Sequence, residues 1–156
     1  MHINLFKSLL HNVGIVILCL ALGYLGTVID SSLGLPSLAS SVAAMVGILL
    51  LTLGFLLRLW AVFHFYNHNM RVVSLEPQGS LVTAGPYRYS RNPLYLGANV
   101  FCFFGAALLF GSPAALIMTA IHLPFMNLLI RREERQLEQK FGDRFLTYKK
   151  QVRRWV

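Results

Sequence analysis

Four long apolar stretches dominate this chain, and each approaches the length of a helix that crosses a lipid bilayer. They occupy residues 13–29, 42–65, 94–110 and 113–130. One crossing needs about 20 apolar residues, and a helix can satisfy its own backbone polar groups inside the hydrocarbon. The sequence therefore predicts an all-α polytopic membrane protein with four transmembrane helices, forming a single domain over residues 1–156.

The distribution of charge supports the same class. Only 13% of the residues are charged and 56% are hydrophobic, whereas soluble domains carry about 25% charged residues. Nine of the 14 Lys and Arg residues lie from Arg131 onward. The net charge of +8 therefore favours contact with anionic lipid headgroups over nucleic acid. Cys19 and Cys102 lie inside apolar runs, so we expect them to be buried as small hydrophobic side chains.

The connecting segments predict the orientation in the membrane. Residues 30–40 and the turn at 111–112 contain no Lys or Arg, while the loop 67–93 and the tail 131–156 are basic. By the positive-inside rule, both termini, this loop and this tail should be cytoplasmic. The tail then forms a cytoplasmic amphipathic helical segment.

An alternative reading makes residues 1–40 a signal peptide that is cleaved near residues 37–40. Its apolar run is longer than the usual 7–15 residues, and only Lys7 provides a positive charge before it. Removal would also leave an odd number of spans.

The polar stretch GPYRYSRNPLYLG, residues 85–97, precedes the third span. Pro93 fixes a helix start, whose free N–H groups favour a carboxylate or another anion. Arg91 adds a planar cation, and three tyrosines add flat surfaces with hydroxyl tips. The stretch suits a ligand with both a carboxylate and an aromatic base. The alternative is an interfacial belt, where Tyr and Arg are common.

The tail carries apolar residues at three- and four-residue spacing, which predicts one apolar helix face. These residues are Leu137, Phe141, Phe145, Tyr148, Val152 and Trp155. Glu133 extends this face and could hold a carboxylate at the membrane rim to meet a ligand. The alternative is surface pairing along the helix, of Arg131 with Glu134 and of Arg135 with Glu138.

Arg58 and His64 interrupt the second span near its predicted cytoplasmic end. Ionisable residues inside a membrane are functional candidates, so Arg58 could line a substrate cavity. The alternative is that it snorkels to the interface. His64 and His68 have the spacing of a metal pair, but no Cys or acidic ligand accompanies them, so no metal site is predicted.

These motifs together resemble the isoprenylcysteine carboxyl methyltransferases and the related phospholipid N-methyltransferases, over roughly residues 54–155. The resemblance rests on the 85–97 stretch, a helical hairpin, the Glu133-Glu134 pair, Phe141-Gly142 and Tyr148. It implies an integral membrane methyltransferase that uses S-adenosyl-L-methionine, in a bacterial inner membrane. The acceptor would be a lipophilic carboxylate, amine or thiol, methylated at the cytoplasmic face.

The resemblance also implies a cofactor site. Its residues would be Leu81, Val82, Tyr87, Arg91, Asn92, Pro93, Leu94, Tyr95, Gly97, Glu133 and Glu134. Arg91 would order the turn or meet the methionyl carboxylate, Gly97 would allow close helix approach, and Glu133 would be a cofactor ligand. In-line attack on the sulfonium methyl group needs alignment more than acid–base help, so the catalytic residues stay unknown. The apolar part of the acceptor would enter sideways from the bilayer.

The chain departs from the prenylcysteine enzymes at two positions. Asn92 replaces a histidine, and Leu129 stands where the eukaryotic enzymes have a substrate-linked arginine. These departures leave the acceptor unidentified. Two other classes remain alternatives: an NADPH-dependent membrane reductase of the sterol-reductase type, and a non-enzymatic membrane adaptor. The oligomeric state is also open, since the glycines at 23, 26, 47 and 54 could pack internally or between subunits.

Overall fold

The computed structural model describes residues 2–67 and 79–156, and every regular element in these ranges is helical. The elements are α1 (His2–Leu33), α2 (Ser41–Asn67), a 3₁₀ turn (Gly85–Arg88), α3 (Pro93–Leu109), α4 (Pro113–Phe141) and α5 (Asp143–Gln151). The predicted all-α class is confirmed. His68 and most of the first half of the predicted 67–93 loop lie outside the described residues.

Each of the four predicted spans falls in a helix, but the helices differ in length. Leu9–Leu33, Ser41–Phe65 and Pro113–Phe141 are long and apolar enough to cross a membrane, while Pro93–Leu109 is a shorter apolar helix. At 1.5 Å per residue, α3 extends about 26 Å, slightly less than the ~30 Å hydrocarbon core.

Helices α2 and α3 touch backbone to backbone at two glycine pairs. A Cβ atom on Gly97 would lie 2.9 Å from the carbonyl oxygen of Gly54, and one on Gly105 would lie 2.8 Å from that of Gly47. Such distances leave no room for a side chain. Glycines in these helices therefore permit the close approach that small residues provide in membrane bundles.

A π-helical turn keeps both contacts in register. The two glycines are seven residues apart on α2 and eight apart on α3. The extra residue is absorbed at Leu96–Cys102, after which the N–H of Phe103 bonds to the carbonyl of Ala98, five residues back. Such turns are rare and frequently occur at functional sites.

Helix α1 packs on α3 and α4 through its own glycines. A Cβ on Gly23 would lie 3.1 Å from the carbonyl oxygen of Ala106, and one on Gly26 would lie 2.6 Å from Cβ of Ala115. The four glycines considered in the sequence thus all serve packing within the chain. Cys19 and Cys102 are fully buried beside Ala106, as predicted.

The predicted hairpin between α3 and α4 is confirmed. Gly111 has a positive φ of 58°, and Pro113 occupies the first turn of α4. The Ser112 hydroxyl accepts a hydrogen bond from the N–H of Ala115 at 3.0 Å. Asp30 of α1 accepts from the N–H of Ala114 at 2.9 Å. Two of the unsatisfied donors at this helix start therefore have side-chain partners.

The C-terminal segment folds back over the start of α3. Gly142, with φ 52°, separates α4 from α5. Every residue of the predicted apolar face is buried or half-buried, with Phe145 and Tyr148 buried most. The Tyr148 hydroxyl donates to the carbonyl of Tyr87 at 2.7 Å. This packing brings the tail against the 85–97 stretch.

Candidate active site

The 3₁₀ turn is seated on the C-terminal part of α2. Gly85 has a φ of 62°, and a Cβ atom there would collide with the ring of His64. Both the backbone conformation and the space therefore require glycine. The turn buries Pro86 and Tyr87 and leaves Tyr89 exposed, 6.3 Å from the ring of Trp60.

Arg91 joins the turn to α4 and to the C-terminal segment. Its Nη2 and Nε atoms donate to Glu134 Oε1 at 2.9 and 3.1 Å. Its Nη1 atom donates to the carbonyls of Lys149 and Val152 at 2.9 and 2.8 Å. Of the two roles predicted for Arg91, these contacts favour ordering of the turn.

Glu134 is shared by two arginines. Besides Arg91, Arg154 donates to it from Nη2 at 2.6 Å and from Nε at 3.2 Å. The Glu134 side chain is only 7% exposed. Among the described residues, Glu138 forms its ion pair with Lys149. The surface pairing with Arg131 and Arg135 was therefore wrong, because the tail folds back and supplies other partners.

Arg154 was missed by the sequence analysis. Its side chain also donates to Asn127 Oδ1 at 3.2 Å, and its carbonyl accepts from Ser90 and Asn92 at 3.2 Å each. No local spacing rule connects a residue at the chain end with partners 20 to 64 positions earlier. We call Arg91, Glu134 and Arg154 the arginine–glutamate clamp.

Glu133 has different surroundings from its neighbour. It is half-buried, and its Oε1 atom accepts a hydrogen bond from the Tyr95 hydroxyl at 2.6 Å. Within the part of the chain that is described, its other carboxylate oxygen has no hydrogen-bond partner. Adjacent helix residues point about 100° apart, so Glu133 faces α3 while Glu134 lies in the clamp.

Tyr87 is buried, and its hydroxyl is without a hydrogen-bond partner among the described residues. The ring packs with Ala61 and Val82, and lies 5.4 Å from the Phe65 ring. Burial, followed by the nearby Tyr148 phenol, raises the pKa of Tyr87 well above its ordinary value. The group therefore stays a neutral O–H donor. An unsatisfied buried hydroxyl is costly, so a ligand with an acceptor group fits this position.

The remaining predicted cofactor residues lie either in the apolar cluster around Tyr87 or at the start of α3. Val82 and the half-buried Leu94 pack in the apolar cluster around Tyr87, and Leu81 is half-buried next to them in the chain. Pro93 is buried at the first position of α3. The Asn92 side chain donates to the tail and does not cap α3.

Arg58 is buried beneath the start of α3, with 5% of the residue exposed. Its Nε atom donates to Asn12 Oδ1 at 3.1 Å, and Nη1 donates to the carbonyl of Leu94 at 2.8 Å. These donors are directed into the bundle, which favours a role inside the protein over the snorkelling alternative. Asn12, on α1, was not recognised from the sequence because it lies 46 residues away.

A cavity of about 200 Å³ lies deeper in the bundle between α1, α3 and α4. It is lined by Cys19, Leu22, Gly23, Phe103, Ala115, Met118, Thr119 and His122. His122 Nε2 lies 3.0 Å from Asn99 Oδ1, a residue of the π-helical turn. The lining of the cavity is mainly apolar, with Thr119 and His122 as its polar members. No motif in the sequence connects its residues.

Comparison with known proteins places this site in a family. A family profile described as phospholipid methyltransferase matches residues 42–144, about two thirds of the chain. The chain belongs to this family. The match runs from α2 through both glutamates of α4, and so contains most of the candidate site.

A curated relative carries the resemblance further. The Protein-S-isoprenylcysteine O-methyltransferase of Saccharomyces cerevisiae is 32% identical over 120 residues, covering 74% of this chain and 49% of the yeast protein. The chain thus spans about half the length of this relative. No solved structure matches this chain. The family resemblance derived from the motifs is confirmed.

Proposed function

We propose that this protein is a membrane methyltransferase that uses S-adenosyl-L-methionine and acts on a lipophilic acceptor. The observation that carries the proposal is the Tyr87 hydroxyl, a buried donor without a partner in the described residues. It belongs to a stretch that the family match includes. A ligand that accepts this hydrogen bond would remove the cost of burying it.

Three sets of residues would hold the cofactor. Tyr87 offers its donor, and Glu133 with Tyr95 offers a carboxylate that can accept from hydroxyl or amino groups. The apolar cluster of Val82 and Leu94 can cover an aromatic base. The arginine–glutamate clamp fixes the shape of the turn, with the side chains of Arg91 and Glu134 nearly buried. When bound, the cofactor supplies an electrophilic methyl group, and the protein contributes alignment and exclusion of water.

The proposed topology has four crossings, with both termini and the 131–156 tail in the cytoplasm of a bacterial cell. The shorter α3 would cross with its start at the membrane rim, where local thinning of the bilayer can accommodate it. The exposed cations on α4 and α5 support this placement, since they can meet anionic headgroups. They include Arg131, Arg132, Arg135, Lys140, Arg144, Lys149 and Lys150.

The acceptor is proposed to enter from the lipid side. The cavity between α1, α3 and α4 supports this route, because it is apolar and lies inside the membrane-spanning bundle. The names of the matched family and of the yeast relative both describe lipid-linked substrates. A carboxylate, an amine and a thiol all remain suitable as the reacting group.

Thermal unfolding of the detergent-purified protein tests the proposal. The protein is heated with S-adenosyl-L-methionine, S-adenosylhomocysteine, NADPH or no ligand. A ligand at about 100 times its Kd stabilises the native state by roughly 2.7 kcal/mol, so both adenosyl compounds should raise Tm and NADPH should not. A shift with NADPH alone would support a reductase, and no shift with any ligand would support a non-enzymatic adaptor.

A further inference from the structure

Arg58 is a buried cation whose hydrogen bonds are all to neutral acceptors. Across residues 2–67 and 79–156 it forms no ion pair, and its recorded partners are the Asn12 amide oxygen and the Leu94 carbonyl. It lies within the Ser41–Phe65 span. A charge held in a membrane interior without an opposite charge costs several kcal/mol, so its presence needs a reason.

The guanidinium is fixed in place rather than free to leave. Its stem lies against Gly97, where a Cβ atom would be 2.6 Å from Arg58 Cγ. Asn12 binds Nε, and the Leu94 carbonyl binds Nη1. The Nη2 atom makes no hydrogen bond with the described part of the chain. A preorganised donor edge therefore remains available.

The cation also lies near the candidate cofactor residues. Leu94 and Gly97 flank Tyr95, whose hydroxyl binds Glu133. The positive charge of Arg58 is close enough to the buried Tyr87 phenol to oppose part of the increase in the pKa of Tyr87. Two groups with spare donors, the Tyr87 hydroxyl and the Arg58 guanidinium, thus occur at the head of α3.

We propose that Arg58 binds the carboxylate of a ligand at this site and that Asn12 positions it. The inference rests on the proposed function and names the group that the site recognises. A guanidinium suits a carboxylate because charge-assisted hydrogen bonds are strong, and the Nη2 atom of Arg58 has donors to give to one. The carboxylate belongs either to the methionyl part of the donor or to the acceptor, and the two sources are separable by experiment.

The first arm uses two nucleosides that differ in the carboxylate. S-adenosylhomocysteine carries an amino-acid group, whereas 5′-methylthioadenosine lacks it. Calorimetric Kd values are measured for the wild-type protein, Arg58→Gln, Arg58→Lys and the exposed control Arg88→Gln. If the methyl donor supplies the carboxylate, Arg58→Gln raises the Kd for S-adenosylhomocysteine by about tenfold or more. The Kd for 5′-methylthioadenosine stays unchanged. Arg58→Lys should lose less affinity for S-adenosylhomocysteine, and Arg88→Gln should bind it as the wild-type protein does.

The second arm uses dodecanoate and dodecylamine, which have the same chain and opposite charge. If the methyl acceptor supplies the carboxylate, Arg58→Gln weakens the binding of dodecanoate by about tenfold or more. Both nucleosides then bind as they do to the wild-type protein. Unchanged binding of the nucleoside completes the control, because it shows that the variant is folded.

Equal effects of Arg58→Gln on both members of each pair, or no effect on any, would overturn the inference. Failure of the wild-type protein to bind either nucleoside would instead overturn the proposed cofactor, and the dodecanoate pair would then decide the role of Arg58 alone.

Discussion

The two ends of the helix bundle both contain buried polar groups, but they use them differently. At the α3–α4 corner, Asp30 and Ser112 bind the N–H groups of Ala114 and Ala115. The Leu38 N–H donates to the Gly111 carbonyl. At the other end, where α3 begins, polar groups are more numerous and some keep unused capacity.

This difference separates a structural corner from a candidate binding site. A buried polar group that already has a partner requires no further explanation, whereas one without a partner does. Among the described residues, the unused donors of Tyr87 and Arg58 lie at the head of α3. The same contrast holds between neighbours on α4. Glu134 is enclosed in the clamp, while one carboxylate oxygen of Glu133 has no hydrogen-bond partner among the described residues.

The largest effect on stability should come from Glu134→Gln. Loss of the charge leaves Arg91 and Arg154 without their shared carboxylate, and breaking a buried pair costs about 3 kcal/mol or more. Chemical unfolding in detergent or bicelles measures the change. The control is Glu138→Gln, whose bridge to Lys149 is 41% exposed on both sides and should be worth less than about 1 kcal/mol. Equal losses in both variants would contradict the clamp.

Glu133→Gln should instead act on the ligand. We expect the affinity for S-adenosylhomocysteine to fall about tenfold, because hydrogen bonds to a charged group contribute roughly 1.5–3 kcal/mol. Stability should change by less than about 1 kcal/mol, since the Tyr95 hydroxyl can still donate to the amide oxygen. Calorimetry and unfolding on the same preparation check both parts. If Glu133→Gln loses stability but keeps its affinity for S-adenosylhomocysteine, then Glu133 is structural like Glu134 and is not a ligand-binding residue.

A smaller change is expected at the corner. Asp30→Ala removes a side-chain acceptor from the start of α4, which should cost about 1 kcal/mol of unfolding free energy. Affinity for S-adenosylhomocysteine should stay at the wild-type value. The matched control is Ser31→Ala, an exposed neighbour that bonds only within its own helix. Reduced affinity in Asp30→Ala would show that the two ends are coupled.

The smallest change in stability is expected for Tyr87→Phe. Its hydroxyl has no partner within the described residues, so its removal should leave the unfolding free energy unchanged or slightly higher. Affinity for S-adenosylhomocysteine should nevertheless fall. Tyr148→Phe is the matched control, because its hydroxyl does bind the Tyr87 carbonyl and its loss should cost about 1 kcal/mol. A clear loss of stability in Tyr87→Phe would mean that the hydroxyl has a structural role.

Much of the fold follows from local patterns. The apolar runs coincide with α1 to α4, and the prolines at 93 and 113 mark helix starts. The spacing of apolar residues in the tail anticipates its buried face. These features depend on periodicity and on backbone preferences over a few residues, which the sequence displays directly.

The candidate site was only partly visible in the same way. The family resemblance gathered Tyr87, Tyr95 and Glu133 into one prediction, and the contact between Tyr95 and Glu133 agrees with it. It named Glu133 as a cofactor ligand and placed Glu134 in the same site. It did not indicate that two arginines enclose Glu134, because Arg91 and Arg154 lie 43 and 20 residues away from it along the chain.

The sequence by itself determined the class of protein, the positions of its helices and the family to which it belongs. Only the tertiary structure decided which polar groups are satisfied: Arg91 and Arg154 with Glu134, and Arg58 with Asn12. Those partners lie 20 to 46 residues apart. Whether they meet depends on helix crossing, on the π-helical turn and on the return of the tail, and no local pattern encodes these.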